Sequence, residues 1–143
     1  MITFTLPAPT PSLNPASRAS GHWAARLKAK QRLQKAWAWD IALSLMPARP
    51  APLQRARVTV YRHSVGTLDW DNAIGGCKPL VDVLKPASKK NPHGIGLIMD
   101  DTPDRLELVV KQIKAARRAD QKTVVTIEPL LVADVVNTAP PAP

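Results

Sequence analysis

Hydrophobic residues alternate strictly over Ile2, Phe4 and Leu6, with threonines between them, which predicts a strand with one buried face. Pro7, Pro9, Pro11 and Pro15 follow and require an extended loop, which also carries Asn14 and Ser17. The spacing then changes. Trp23, Leu27, Lys30, Leu33, Trp37, Ile41 and Leu45 recur at three and four residues, so a long Ala-rich helix is expected over residues 20–46, capped by Ser20 and stopped by Pro47, Pro50 and Pro52. Lys30 interrupts the stripe, but its stem can snorkel. Alternation returns at 57–63 with Val58 and Val60 inward, at Leu106, Leu108 and Val110, and at Val125 and Ile127. The basic turn at 117–122 suggests that the last two strands form a hairpin. The expected class is α+β, with a small mixed or antiparallel sheet of about four strands and two main helices.

The second helix carries the candidate chemistry. Asp69, Trp70, Asp71 and Asn72 are followed by Lys78, Asp82 and, after a loop, Asp100 and Asp101. If the helix opens at Asp71, residues about 100° apart around its axis bring Asp71, Lys78 and Asp82 within roughly 40° of one another. Ile74, Cys77, Leu80, Val81 and Leu84 then share the opposite, core-facing side. Asp69 points the same way as Asp71 if the chain enters extended, and Asp71 or Asn72 can cap the first turn. Gly75, Gly76 and Pro79 are poor residues for a helix interior, which leaves open a later start near Lys78 with Pro79 in the first turn.

Carboxylates beside a lysine suit a divalent metal held against a phosphate. Mg²⁺ binds through a few carboxylate oxygens, keeps several waters and leaves room for substrate oxygens. It activates water and neutralises charge developing on a phosphodiester, while a neighbouring ammonium adds fixed positive charge. The same residues also read as a cap and a solvated face, with Lys78 and Asp82 an ordinary i,i+4 pair.

Charge sharpens the choice of partner. The net charge is +9, and all of it lies in residues 1–66, where ten Lys and Arg face the single acid Asp40; residues 67–143 balance ten against ten. A basic first half and an acid-bearing second half fit a protein that attracts a polyanion broadly and recruits metal at one point. Arg26, Lys28, Lys30, Arg32 and Lys35 crowd the first half of the long helix, either as a solvated face or as phosphate contacts. The loop at 85–96, expected to be flexible, holds Lys89 and Lys90 and serves as a connector or a DNA grip. The lone Cys77 reads as core, and His22, His63 and His93 are isolated. No internal repeat, Gly-rich phosphate loop or Cys/His zinc pattern occurs. No apolar run reaches the roughly 18 residues of a membrane span, and no signal-peptide pattern opens the chain, so a cytoplasmic protein is expected. Residues 1–136 read as one domain and 137–143 as a disordered Pro/Ala-rich tail.

Three segments together resemble the RusA family of Holliday-junction resolvases, common in phages and prophages. They are Asp69-x-Asp71-Asn72, then Lys78-Pro-Leu-Val-Asp82-x-Leu84, then Gly94 to Asp101. The opening Leu6-Pro-x-Pro with Ser12-x-Asn14 resembles that family's N-terminal signature, so the likeness covers most of residues 2–128. It implies a small α+β homodimer that cuts four-way DNA junctions by symmetric paired nicks, using Mg²⁺ or Mn²⁺ and no organic cofactor. The matching metal ligands are Asp69, Asp71 and Asp101, with Asp100 and Asp82 as second choices, and Lys78 matches the catalytic lysine. One departure stands out: Lys78 follows Asn72 by six positions, where in shorter members the lysine follows by three, and the basic loop reads as an insertion. The alternatives are a non-catalytic basic DNA-binding module and a nuclease for other branched or single-stranded DNA.

Overall fold

The computed structural model describes residues 1–12 and 23–130. Asn14, Ser17, the expected Ser20 cap and the 137–143 tail lie outside the described residues. In chain order the elements are β1 (Ile2–Leu6), α1 (Trp23–Ser44), β2 (Ala56–Ser64), α2 (Trp70–Leu84), β3 (Leu106–Lys114) and β4 (Lys122–Pro129), with a short 3₁₀ turn at Arg118–Asp120. The strands form one mixed sheet in the order β1-β4-β2-β3. β4 runs antiparallel to β1 and β2, and β3 runs parallel to β2. The α+β class is as expected.

The expected hairpin is not formed. β3 and β4 lie on opposite sides of β2, because Val58 pairs with Leu108 on one flank and with Ile127 on the other. The α2 crossover makes β3 parallel to β2, and the following turn steps across the end of β2 to start β4. Ala115 N–H donates to the Ser64 carbonyl at 2.9 Å, and the Gln121 side-chain oxygen accepts from the Ser64 hydroxyl at 3.1 Å and from Val65 N–H at 3.2 Å. The basic segment is therefore a bridge over one strand.

Register places Ile2, Phe4 and Leu6 beside Ile127, Val125 and Thr123, and continues the same face through Ala56, Val58 and Val60 to Leu106, Leu108 and Val110. The helices cover this face, where Trp37, Ile41, Leu80, Val81, Val83 and Leu84 join the strand residues in one core. The other face mixes polar side chains with Val109, Ile113 and Val124. There Arg57 bridges Glu107 at 2.8 Å and Glu128 at 3.4 Å, and Lys111 lies over the Tyr61 ring; exposed pairs of this kind stabilise little.

α1 buries only Gln34, Trp37 and Ile41, with Leu33 and, just past the helix end, Leu45 partly covered. Its expected stripe is core only from Leu33 onward: Trp23 is 68% exposed and Leu27 is also exposed. The helix has 22 residues, about 33 Å, against about 22 Å for α2, so its first turns run past the layer beneath.

α2 starts at Trp70 and keeps Gly75, Gly76 and Pro79 inside it, so the later start near Lys78 does not occur. An interior proline costs about 3 kcal/mol and each glycine about 1. Burial of Leu80, Val81, Val83 and Leu84, at about 1.5–3 kcal/mol each, outweighs that. Gly76 also has a positive use, because a Cβ there would collide with the Pro11 carbonyl: the proline-rich loop crosses α2 at this point. Beneath that loop, buried Arg62 donates Nε–H to the Thr10 carbonyl at 2.7 Å. Cys77 is a buried free thiol, as expected.

Candidate functional site

The approach to the site is set by a clamp. Gln112, a polar residue on the covered face of β3, accepts from Leu68 N–H at 2.8 Å and donates to the Leu68 carbonyl at 2.9 Å. The chain is thus pinned one residue ahead of the acids. Asp69 enters extended (φ −57°, ψ 149°) and takes the N-cap position, with no capping bond from its carboxylate; neither Asp71 nor Asn72 is the cap. Asp69 and Asp71 are exposed, beside the positive end of the helix dipole.

Three to four turns further on, at the C-terminal end of α2, the environment changes. The Lys85 ammonium lies 3.5 Å from Asp82 and 3.4 Å from Asp101. The side chains of Asp82, Asp101 and Lys85 are 19%, 25% and 26% exposed. Burial works against the charged forms of both Lys85 and Asp101. For Asp101 it is outweighed by the Lys85 ammonium, by side-chain hydrogen bonding with Asp100 and Lys85, and by the charge of Lys78, which hold the carboxyl below its ordinary range. For Lys85 it is outweighed by Asp101 and Asp82, which push the ammonium up. Lys30 reaches Asp82 from α1 at 3.9 Å, so the residue that interrupts the apolar stripe serves an ion pair between helices. The expected Lys78–Asp82 pair is not among these contacts. Lys78 is exposed and shares a cavity of about 370 Å³ with Asp101, Gly75 and Pro103. A second cavity of about 370 Å³ is lined by Asp82, Lys85, Lys90, Asn91 and Asp100.

The loop at 85–96 is built onto the end of α2. Ile95 and Leu97 N–H donate to the Val83 and Leu84 carbonyls, both at 2.7 Å, and Gly96 N–H donates to the Lys85 carbonyl at 3.0 Å. Asn91 Nδ2–H donates to the Asp82 carbonyl at 2.7 Å. These bonds satisfy the helix's final carbonyls, so the expected flexible connector is a folded cap. A Cβ on Gly94 would overlap the Lys85 and Pro86 backbone, and only glycine allows so close a return. The chain then pairs Ile98 with Leu53 in one isolated bridge and delivers Asp100 and Asp101, the Asp100 carboxylate accepting from Asp101 N–H at 2.8 Å.

The structure thus brings together Lys78, Asp82 and Asp101 from the expected set, and adds Lys85. Asp69 and Asp71 do not join that cluster. Asp71 shares the stripe but stands about 10 Å along the axis from Lys78 and about 16 Å from Asp82. Among the described residues no three His, Cys, Asp or Glu side chains gather closely enough to hold a metal ion. Mg²⁺ commonly takes only one or two carboxylates together with waters and phosphate oxygens. Ionised Asp101, already sharing a positive group with Asp82, has the hard-oxygen chemistry such an ion requires. Of the basic candidates, Arg26, Lys28, Arg32 and Lys35 are exposed along α1, and Lys89 and Lys90 on the loop.

No family model, curated protein or solved structure matches the chain. The likeness to the resolvases therefore rests on the sequence motifs alone.

Three positioning residues escaped the sequence reading. Gln112 had a signal, since it continues the inward alternation of Leu106, Leu108 and Val110 with a polar side chain. Lys85 had a weaker one, three residues after Asp82 on the same helical flank. Asn91 had none beyond its place in a turn.

Proposed function

We propose that this protein is a Mg²⁺-dependent endonuclease selective for branched DNA, with the four-way junction as its substrate. The observation that supports this most is the meeting of Asp82 and Asp101 on the Lys85 ammonium, with the Lys78 charge acting on Asp101, which joins segments of the sequence nearly twenty residues apart into one charged site. Asp101 would hold Mg²⁺ or Mn²⁺, with Asp82 and Asp100 in support, and the resemblance assigns Asp69 and Asp71 to the same ion although they stand apart from that cluster. When bound, the ion supplies Lewis acidity and neutralises charge at the scissile phosphodiester. Lys78, exposed beside Asp101, offers an ammonium to the non-bridging phosphate oxygens as their charge grows. Lys85 keeps Asp101 ionised and aimed. Arg26, Lys28, Arg32, Lys35, Lys89 and Lys90 supply contacts to the DNA backbone.

Junction resolution needs two nicks in strands of like polarity, and one chain offers one such site. A two-fold symmetric homodimer matches the symmetry of the substrate. Sedimentation should give about twice the chain mass of 15.5 kDa, and heterodimers with Asp71→Asn chains should nick one strand only.

A second reading, a non-catalytic DNA-binding module, is favoured by the Lys85 ammonium, which already neutralises Asp82 and Asp101. Labelled four-way junctions and matched duplex, incubated with Mg²⁺ or with chelator, separate the two. Paired incisions in the junction that vanish with chelator support the nuclease; binding with no incision under any divalent ion supports the module.

A further inference from the structure

The groove between α1 and residues 92–95 shares Arg32 and Lys35 with the basic surface described above but none of the acids of the candidate site. Its volume is about 620 Å³, within the range of pockets that take a small ligand. One wall is helical and carries Arg32, Lys35 and Trp39; the other is the loop, with His93; Arg49 closes the end. Trp39 is 69% exposed. An indole buries a large apolar area wherever the fold permits, and this one is left with most of its surface open beside three cations. Arg49 is fixed across the groove, donating Nη1–H to the Ile95 carbonyl at 3.1 Å, which leaves most of its five donors for a ligand. Asp40 is the one acid in the lining.

We propose that this groove binds one unpaired DNA strand, with a base stacked on Trp39 and the flanking phosphates on Arg32, Lys35 and Arg49. The inference rests on the reading of the protein as acting on branched DNA, and names the part of such DNA that it grips. An aromatic face within a cationic groove is the chemistry that binds single strands without base preference. A base inside a duplex keeps both faces stacked on its neighbours and has none to offer an indole, whereas a branch point supplies unstacked bases. The location also suits the task. The loop that walls the groove begins at Lys85, and its Asn91 bonds the Asp82 carbonyl, so a strand seated on Trp39 leads toward the acids.

The test uses the full chain in chelator, so that no cleavage is read, with labelled oligo-dT and a duplex of equal length in fluorescence anisotropy. Trp39→Ala should lose about tenfold in affinity for oligo-dT, the effect of one stacked base, and leave duplex binding unchanged. Trp39→Phe should keep most of the oligo-dT affinity, since a phenyl ring still stacks. Lys35→Gln should flatten the oligo-dT salt dependence by about 0.7 in log–log slope, one phosphate on a single strand. Unchanged oligo-dT binding by Trp39→Ala would overturn the proposal and leave Trp39, with exposed Leu43 and Met46 beside it, to a protein partner. An equal loss on duplex would overturn it too, because the indole would then not discriminate an unpaired strand. Wild-type chains that bind oligo-dT through Trp39 but never cut a junction would fail the nuclease reading and leave the groove standing.

Discussion

The two helices break opposite rules. α1 is rich in alanine and other good helix formers, yet most of it stands clear of the core. α2 holds two glycines and a proline, yet seven of its residues are buried. α1 is a helix by intrinsic preference and α2 by tertiary packing. The surfaces they present follow from this difference. A helix that needs little from the core can project a long basic surface, whereas a helix locked against the core can hold charged side chains in fixed relation to a distant loop.

Deleting core contacts should show the contrast most strongly. Leu80→Ala in α2 removes a fully buried side chain and should cost about 2–5 kcal/mol. Leu27→Ala in α1 should change stability by less than about 0.5 kcal/mol. Urea midpoints measure both, and comparable losses would erase the distinction.

Alanine–glycine exchanges should have opposite signs in the two helices. Ala29 is exposed in α1, and Ala29→Gly should destabilise by about 1 kcal/mol through propensity alone. At Gly76 the same preference favours alanine, but the collision with Pro11 should make Gly76→Ala destabilising by about 1–3 kcal/mol. A stabilised Gly76→Ala would mean that the proline-rich loop does not press on α2.

A smaller effect separates them in acid. Asp101 is held below its ordinary range and Lys85 above its own. Asp101 therefore contributes stability above its unfolded value of about 4 and loses it as pH falls through the lower folded one. Lys85 contributes below about 10.4 and loses its share only as pH rises through the raised value. Between these limits the pair is intact. Urea midpoints followed from pH 7 to 3 should fall in wild type, and Lys85→Met should reduce the part of that fall due to Asp101. An identical acid profile in the variant would show that Lys85 does not hold Asp101 ionised.

The smallest effect belongs to the outer face of α1. Replacing Arg26 and Lys28 with Gln should leave stability unchanged and lower the log–log salt slope for duplex binding by about 0.9 per lost phosphate contact. A slope equal to wild type would mean that this face looks into solvent.

The sequence carried the strands and the charged stripe of α2, because periods of 2 and 3.6 are local properties. Val58 and Val60 are inward, and Asp71, Lys78 and Asp82 share one stripe, as their spacing requires. What it hid was pairing and rise. Nothing between Leu106 and Ile127 signals that β2 will insert between β3 and β4, since strand neighbours are chosen by whole faces. The angular reading brought Asp71 close to Lys78 in projection but carried no measure of the distance between them along the axis. Lys85 became central only because the loop after it folds back onto the last carbonyls of α2, a tertiary event. The proline and glycines argued for a shorter helix, and burial outweighed them.

If the protein is the proposed nuclease, the acids of the α2 stripe and Asp101 serve one reaction. Asp71→Asn and Asp101→Asn, assayed on a labelled four-way junction in Mg²⁺, test it most directly. Both variants should bind the junction with near wild-type affinity and nick it at least about a hundredfold more slowly, the scale on which losing a group that stabilises transition-state charge is felt. Incision at the wild-type rate by either variant would contradict the claim.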